Sequence, residues 1–355
     1  MEVFIGVDFH TRSQTVCWSN TADGEVCMRK LDHSEDDVKA FYQQFPAPAV
    51  VGLESSGYAL WFHQLLEGLG HQVKVGDAYA IRQFARRKQK NDRRDAELLL
   101  DLLMHGDFPT VHVPCPESRD ILGLLRYRHR LVQMTVNLKN GLHAVALKHQ
   151  VRLRSQLFSR DGLERLEGLP LTGAFALQRE QSLTLLKTLN GQIGLIEREL
   201  RSRARNDVRV QRLRTQPGVG LLTSLTMVHT LEPAGRFTRS RQVAAYCGLD
   251  PKENSSGELQ RYGGISKQGN RLLRTLLVEA SYSAVRPGKD EELRRFYYRL
   301  LAKKNSSIAI VAVARKLAVQ LFTMLRDEID YNEFRRRGRA VRYARWEQSP
   351  ATTQD

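Results

Sequence analysis

Residues 3–9 read VFIGVDF. In an extended chain Val3, Ile5 and Val7 point to one side and Phe4, Gly6 and Asp8 to the other, because side chains alternate along a strand. The run is apolar on both sides until Asp8, so a strand here has to be covered on both faces. That is the position of a central strand in a layered α/β domain, and it ends on a carboxylate.

The next segments continue the pattern. QTVCWSN and EVCMRKL read as two further strands joined through the ADG turn, PAVVGLESSG as a fourth ending at Glu54, and HQVKVGD as a fifth. HSEDDVKAFYQQF, with Ser34 as its cap, and YALWFHQLLEGLG, stopped by Gly70, have helical spacing. The order is βββαβαβ, a basic loop, then a helix starting near Asp92. In open α/β sheets ligands bind outside the carboxyl ends of the strands. Asp8 and Glu54 therefore face each other if strands one and four are neighbours.

The segment QKNDRRDAELLLD (89–101) opens the next helix. Asp92 and Asp95, three apart, share one helical face. Acidic residues suit any first helical turn, so the pair alone is ambiguous. With Asp8 and Glu54 it makes four carboxylates, which repel unless cations neutralise them. Mg²⁺ prefers hard oxygen ligands, and two such ions can clamp a phosphodiester.

The chain carries 55 Lys and Arg against 39 Asp and Glu among 355 residues, a net charge of +16. That excess points to a polyanion, most commonly nucleic acid. Lys90, Arg93 and Arg94 would steer its backbone towards the acidic residues beside them. Cys17, Cys27, Cys115 and Cys247 form no C-x-x-C pair, and no His cluster has zinc spacing. Reduced thiols in a cytosolic protein are expected. MEVFIGVDF lacks the pattern of a signal peptide. The run SIAIVAVARKLAVQLFTML (307–325) contains Arg315 and Lys316 and reads as a buried core helix rather than a membrane span.

From residue 118 the strand signals stop. Leu124, Leu131, Leu138 and Val145 recur every seven residues, and Leu186, Leu189, Ile193, Ile196 and Leu200 at steps of three and four. Both patterns suit long helices with a narrow seam, packed within the chain or as a dimer arm. Gly191 and Gly194 weaken the second locally. Residues 151–178 read as a hinge or connector. Further on, Pro217-Gly218-Val219-Gly220 lies between two helical stretches, where glycine amides and a helix N-terminus can meet a phosphate, as in a helix-hairpin-helix element. The stretch KENSSGELQRYGGISKQGNRLLR is polar and glycine-rich before it opens a helix. Lys267, Arg271 and Arg274 are its candidate backbone contacts. Ser255 and Ser256 suit a plain turn, but a metal-polarised phosphate needs no histidine to activate a serine.

GVD, GLESSG, KNDRRDAELL, PGVG, AAYCGLDP, SSG and GGISKQGNRLLR occur in this order over residues 2–328. Together they resemble the insertion-sequence one-hundred-and-ten family of transposases, which includes the Piv-type DNA invertases. The resemblance implies a RuvC-like, ribonuclease-H-fold domain over 1–150, a helical coiled-coil linker over 151–206, and a mostly helical transposase domain over 207–330. The basic tail over 331–355 carries no motif of that family and by its charge is expected to be disordered when free. The resemblance places the acidic set on Asp8, Glu54, Asp92 and Asp95, holding Mg²⁺, and the nucleophile on Ser256. Ser256 would act from the C-terminal domain of the same or another subunit. It also implies donor and target DNA, a structured guide ("bridge") RNA, a homo-oligomer (dimer or tetramer), no membrane, and a cytoplasmic, nucleoid-associated protein.

Three rival functions stay open on the residues. A metal-dependent nuclease or junction resolvase would use the same carboxylates with water. An architectural nucleic-acid binder would use neither these carboxylates nor Ser256. A sugar-kinase-like phosphotransferase also opens with a strand, Gly and Asp, but DFHTRSQ lacks the glycine that would hold its phosphate.

Overall fold

The computed structural model describes residues 2–21, 24–33, 35–85, 91–151, 156–253 and 262–338. The chain divides into two compact units, Met1–Val113 and Pro114–Asp355.

In the first unit the elements are β1 (Val3–Phe9), β2 (Ser13–Asn20), β3 (Val26–Asp32), α1 (Glu35–Gln43), β4 (Val50–Glu54), α2 (Leu60–Gly68), β5 (Gln72–Gly76), α3 (Ala78–Phe84) and α4 (Asp92–Met104). The strands form one sheet in the order β3-β2-β1-β4-β5. The first three are antiparallel neighbours, and β4 and β5 continue the sheet parallel to β1. The expected element order is present with one addition. Part of the stretch between the fifth strand and Asp92 forms α3, because Asp77 caps it by accepting from the Tyr79 and Ala80 amides.

As its composition requires, β1 is covered on both faces. Ile5 and Val7 are fully buried with Val51, Phe62 and Leu66. On the opposite face Phe4 packs against Ala96, Leu99 and Leu100 of α4. Gly6 pairs across the sheet with Gly52. A Cβ on Gly6 would lie 2.5 Å from the Ala96 carbonyl and the Leu100 amide, and one on Gly52 would lie 2.7 Å from the Leu103 side chain. Two adjacent glycines thus let α4 lie directly on the sheet.

The second unit begins with α5 (Pro116–Lys148), α6 (Arg160–Glu167) and α7 (Gly173–Ala204). Helices α5 and α7 form an antiparallel pair: Arg203 meets Asp120, and Arg128 meets Glu197 at 2.7 Å. Leu131, Leu189, Ile196 and Leu200 fill the seam. Gly191 and Gly194 do not interrupt α7. Within the stretch read as a hinge, α6 buries Leu166 against Leu142, Ala146 and Leu157. Arg179 fastens its end, donating to the carbonyls of Glu167 at 2.8 Å and Leu169 at 2.7 Å.

Next come α8 (Val208–Arg214), α9 (Leu221–Leu231), α10 (Ser240–Tyr246), β6 (Pro251–Glu253), β7 (Tyr262–Ile265), α11 (Arg271–Ala284), α12 (Glu291–Leu301) and α13 (Ser306–Arg326). Helix α13 is the 307–325 run. Among the described residues it is the one helix long and apolar enough to cross a membrane. Val313, Leu317, Leu321 and Phe322 on it are fully buried in the core of the unit.

Of the expected basic tail only its first residues, up to 338, are described. Residues 331–338 are helical. Tyr331 and Phe334 pack on the core, the Asp330 carboxylate accepts from the Glu333 amide at 2.8 Å, and Arg335 pairs with Glu292. Two aromatics at an i, i+3 spacing gave this segment something to bury, which the run of arginines around them masked. The first compact unit ends at Val113, and α5 packs with α7 and α9.

Candidate active site

The site forms where β1 and β4 end. Val7 and Leu53 are the last paired positions, and the next residues along are Asp8 and Glu54. Two residues back on each strand are Gly6 and Gly52, which face α4, so strand alternation turns Asp8 and Glu54 to the α4 side as well. Asn91 starts α4 by accepting from the Arg93 amide at 3.1 Å. Asp92, Asp95, Ala96 and Leu99 then share the face laid on the sheet, while Arg93 and Arg94 are exposed.

His10, two residues beyond Asp8, joins them. Its Nε2 lies 3.0 Å from Asp8 Oδ2 and 3.6 Å from Asp92 Oδ1. One ligand atom from each of Asp8, His10 and Asp92 falls within 4.8 Å of the others. The Asp8 side chain is only 14% exposed, against 47% for Asp92. Burial pushes the Asp8 carboxyl above the usual carboxylate range; His10 opposes this, and the charges of Asp95 and Asp92 add to it. A divalent cation fits such a group: it would offset crowded negative charge, and carboxylate oxygens with an imidazole nitrogen are ordinary ligands for one.

Glu54 is half-buried on the neighbouring strand and outside that three-residue group. Its Oε1 is 3.9 Å from Nη2 of the exposed Arg82, a weak contact at that distance and exposure. Arg93 Nε points back to Met28 Sδ at 3.2 Å. Together with Thr15, Arg29, Lys30 and Asp92 these two line an open cavity of about 510 Å³ beside the carboxylates. Lys90 lies outside the described residues.

In the second unit Gly218, at φ +88°, turns the chain between α8 and α9, and a Cβ there would sit 2.5 Å from the Ala284 amide. Close packing on α11 therefore requires this glycine. Gly220, the first residue before α9, has open space around it. Lys267 and Arg271 are exposed. Arg274 is half-buried, and its Nη1 donates to the Cys247 carbonyl at 3.1 Å, tying α11 to the end of α10. Strands β6 and β7 pair antiparallel and bracket residues 254–261. Ser255 and Ser256 fall in that interval, outside the described residues.

Sequence reasoning missed His10. The signal was the same alternation that places Asp8: residue 10 is one strand repeat further and projects to the same side.

Residues 210–298 match the family described as "Transposase IS116/IS110/IS902 family". Residues 5–149 match a second family, described as "Transposase", of DEDD and IS110 type. The "Transposase for insertion sequence element IS1328" of Yersinia enterocolitica is 30% identical over 280 residues, covering 76% of this chain and 82% of that protein. The "Transposase for insertion sequence element IS1111A" of Coxiella burnetii is 28% identical over 79% of each chain. A Pseudomonas aeruginosa protein named "Probable family 20 transposase" is 28% identical over 92% of this chain and 98% of its own length.

Proposed function

The chain belongs to the IS116/IS110/IS902 family of transposases, and from that premise we propose a site-specific recombinase that cuts and rejoins DNA through a phosphoserine. As a transposase it acts on DNA. The observation that carries the finer reading is the convergence of Asp8, His10 and Asp92 within 4.8 Å at the end of a buried central strand.

The sheet order β3-β2-β1-β4-β5, with α4 on one face, supports a ribonuclease-H-like domain of the RuvC branch. Its acidic set is Asp8, Glu54, Asp92 and Asp95. Asp8 and Asp92 would hold Mg²⁺, with Glu54 and Asp95 beside them. Ions held there, two in this reading, would offset charge on the transferring phosphate. The chain's own part is placement: Asp8 is fixed by the central strand, Asp92 by the capped start of α4, and His10 keeps the two carboxylates facing each other. Exposed Arg93 and Arg94, with Lys90, draw the DNA backbone to an acidic pocket that alone would repel it.

Ser256 Oγ forms a bond to phosphorus, the bond to the 3′ oxygen breaks, and that oxygen leaves as a hydroxyl. The 3′ hydroxyl of another strand then attacks the phosphoserine and releases Ser256. Strands are exchanged without net hydrolysis. The turn of Pro217, Gly218, Val219 and Gly220 between α8 and α9 supports a helix-hairpin-helix-like backbone contact, and Lys267 and Arg271 extend it. Net charge supports a guide RNA beside the DNA. Exposed Tyr127 and Met134 on α5 and Leu185 and Leu195 on α7 support a homo-oligomer through the long helix pair. The site of action is the cytoplasm, at the nucleoid.

The test incubates the protein with Mg²⁺ and DNA carrying the ends of its own element, then runs a denaturing gel with and without protease. A protease-sensitive, slow-migrating protein–DNA species and exchanged strands are expected. Free 5′-phosphate ends as the sole product would contradict the proposal and favour a nuclease using water.

A further inference from the structure

Helix α12, EELRRFYYRLL, has two unlike sides. Leu293, Phe296 and Tyr297 pack on the core. With 3.6 residues per turn, Arg295, Tyr298, Arg299 and Ala302 fall on the opposite side. All four are exposed, Tyr298 by 54%. Lys303 and Lys304 continue the turn, their amides bonded to the Leu300 carbonyl, and are exposed too.

The acidic residues of the helix are taken by other cations. Glu291 faces Arg294 at 3.6 Å, and Glu292 binds Lys316 at 2.9 Å and also Arg335. Arg295, Arg299, Lys303 and Lys304 make no ion pair with a described residue, so the outward side is a row of uncompensated cations. Residues 295, 299 and 303 step along it by about 6 Å each, a spacing on which consecutive phosphates of an extended strand can be met.

Tyr298 is the odd member, a large ring placed away from the core. Arg294 lies 5.6 Å from its centroid and Tyr297 stands edge-on at 5.4 Å, so the ring is held in place. One turn further on is Ala302, too small to cover it. A fixed, open aromatic ring among cations is a stacking platform for an unpaired base, whereas a duplex backbone needs only the cations.

We propose that this face of α12 binds single-stranded DNA, with a base stacked on Tyr298 and the adjacent phosphates on Arg295, Arg299 and Lys303. The proposal rests on the strand-exchange reading, in which unpaired strands arise. It adds a site outside the carboxylate cluster and assigns it the opened strand.

Fluorescence anisotropy of the full chain without Mg²⁺, at several salt concentrations, tests it. The probes are a labelled DNA oligonucleotide, its duplex and the RNA of the same sequence. Tyr298→Ala should weaken single-stranded DNA about tenfold and the duplex less than about twofold, while Tyr298→Phe, which keeps the ring, stays near the parent protein. Arg295→Gln with Arg299→Gln should weaken both DNA forms and flatten their salt dependence. Equal losses on single strand and duplex, an equal loss in Tyr298→Phe, or a loss confined to RNA would overturn the proposal. Failure of the parent protein to bind any DNA would overturn the strand-exchange reading as well. Tight binding that ignores Tyr298 would overturn this site alone.

Discussion

Asp8→Asn is expected to lower DNA cleavage by roughly a thousandfold, the cost typical of removing one preorganised electrostatic group from a reacting centre, while the chain stays folded. Asn matches Asp in shape, so the packing of β1 is kept. The carboxyl charge is itself unfavourable in the metal-free fold, since burial and the neighbouring Asp95 and Asp92 all disfavour it. Removing it should therefore leave the metal-free Tm unchanged or raised. Saturating Mg²⁺ should separate the two proteins: at a hundredfold excess over Kd a bound ion adds about 2.7 kcal/mol to the parent chain, and the variant should lose most of that gain. Thermal melts with and without Mg²⁺, beside a cleavage gel, give both readings. A variant that cuts within about tenfold of the parent rate would remove Asp8 from the reacting centre.

Ser256→Ala should abolish every covalent protein–DNA species and every exchanged strand, and should leave the Mg²⁺-dependent rise in Tm intact. The two variants thus fail differently: one loses the ion, the other the nucleophile. Ser255→Ala is the control for the choice between adjacent serines and should still form the adduct. The reverse pattern, with the adduct lost in Ser255→Ala and kept in Ser256→Ala, would move the nucleophile by one residue. Adduct in both would take it elsewhere.

Much of the first unit could be read from alternation alone. VFIGVDF announced a strand covered on both faces, and Ile5, Val7 and Phe4 are covered as it implied. Asp8 and Glu54 could be placed at strand ends because a carboxylate terminates each apolar run. What pattern could not supply was distance. Gly6 and Gly52 looked like ordinary strand glycines, yet their missing Cβ atoms set how closely α4 approaches and so how near Asp92 comes to Asp8. His10 was hidden for a related reason, since its partner Asp92 is far away in sequence.

In the second unit the helical seam was legible in the leucine spacing, whereas the contacts that cross between short elements were not. The bond from Arg274 Nη1 to the Cys247 carbonyl, which ties α11 to the end of α10, has no signal in the helix that carries it. The pairing of β6 with β7 was obscured by a segment rich in glycine and polar residues, whose strands are only three and four residues long. Residues 331–338 were masked by their arginines, although Tyr331 and Phe334 supply the contacts that hold them.

The most direct test replaces the proposed ion with Fe²⁺ and adds ascorbate and peroxide, so that radicals generated at the bound metal cut the nearby polypeptide. The account predicts cuts around residues 8–10, around 54, and around 92–95, all suppressed by excess Mg²⁺ and absent from Asp8→Asn. Cuts confined to one of these segments, or falling elsewhere in the chain, would mean that the carboxylates do not share an ion.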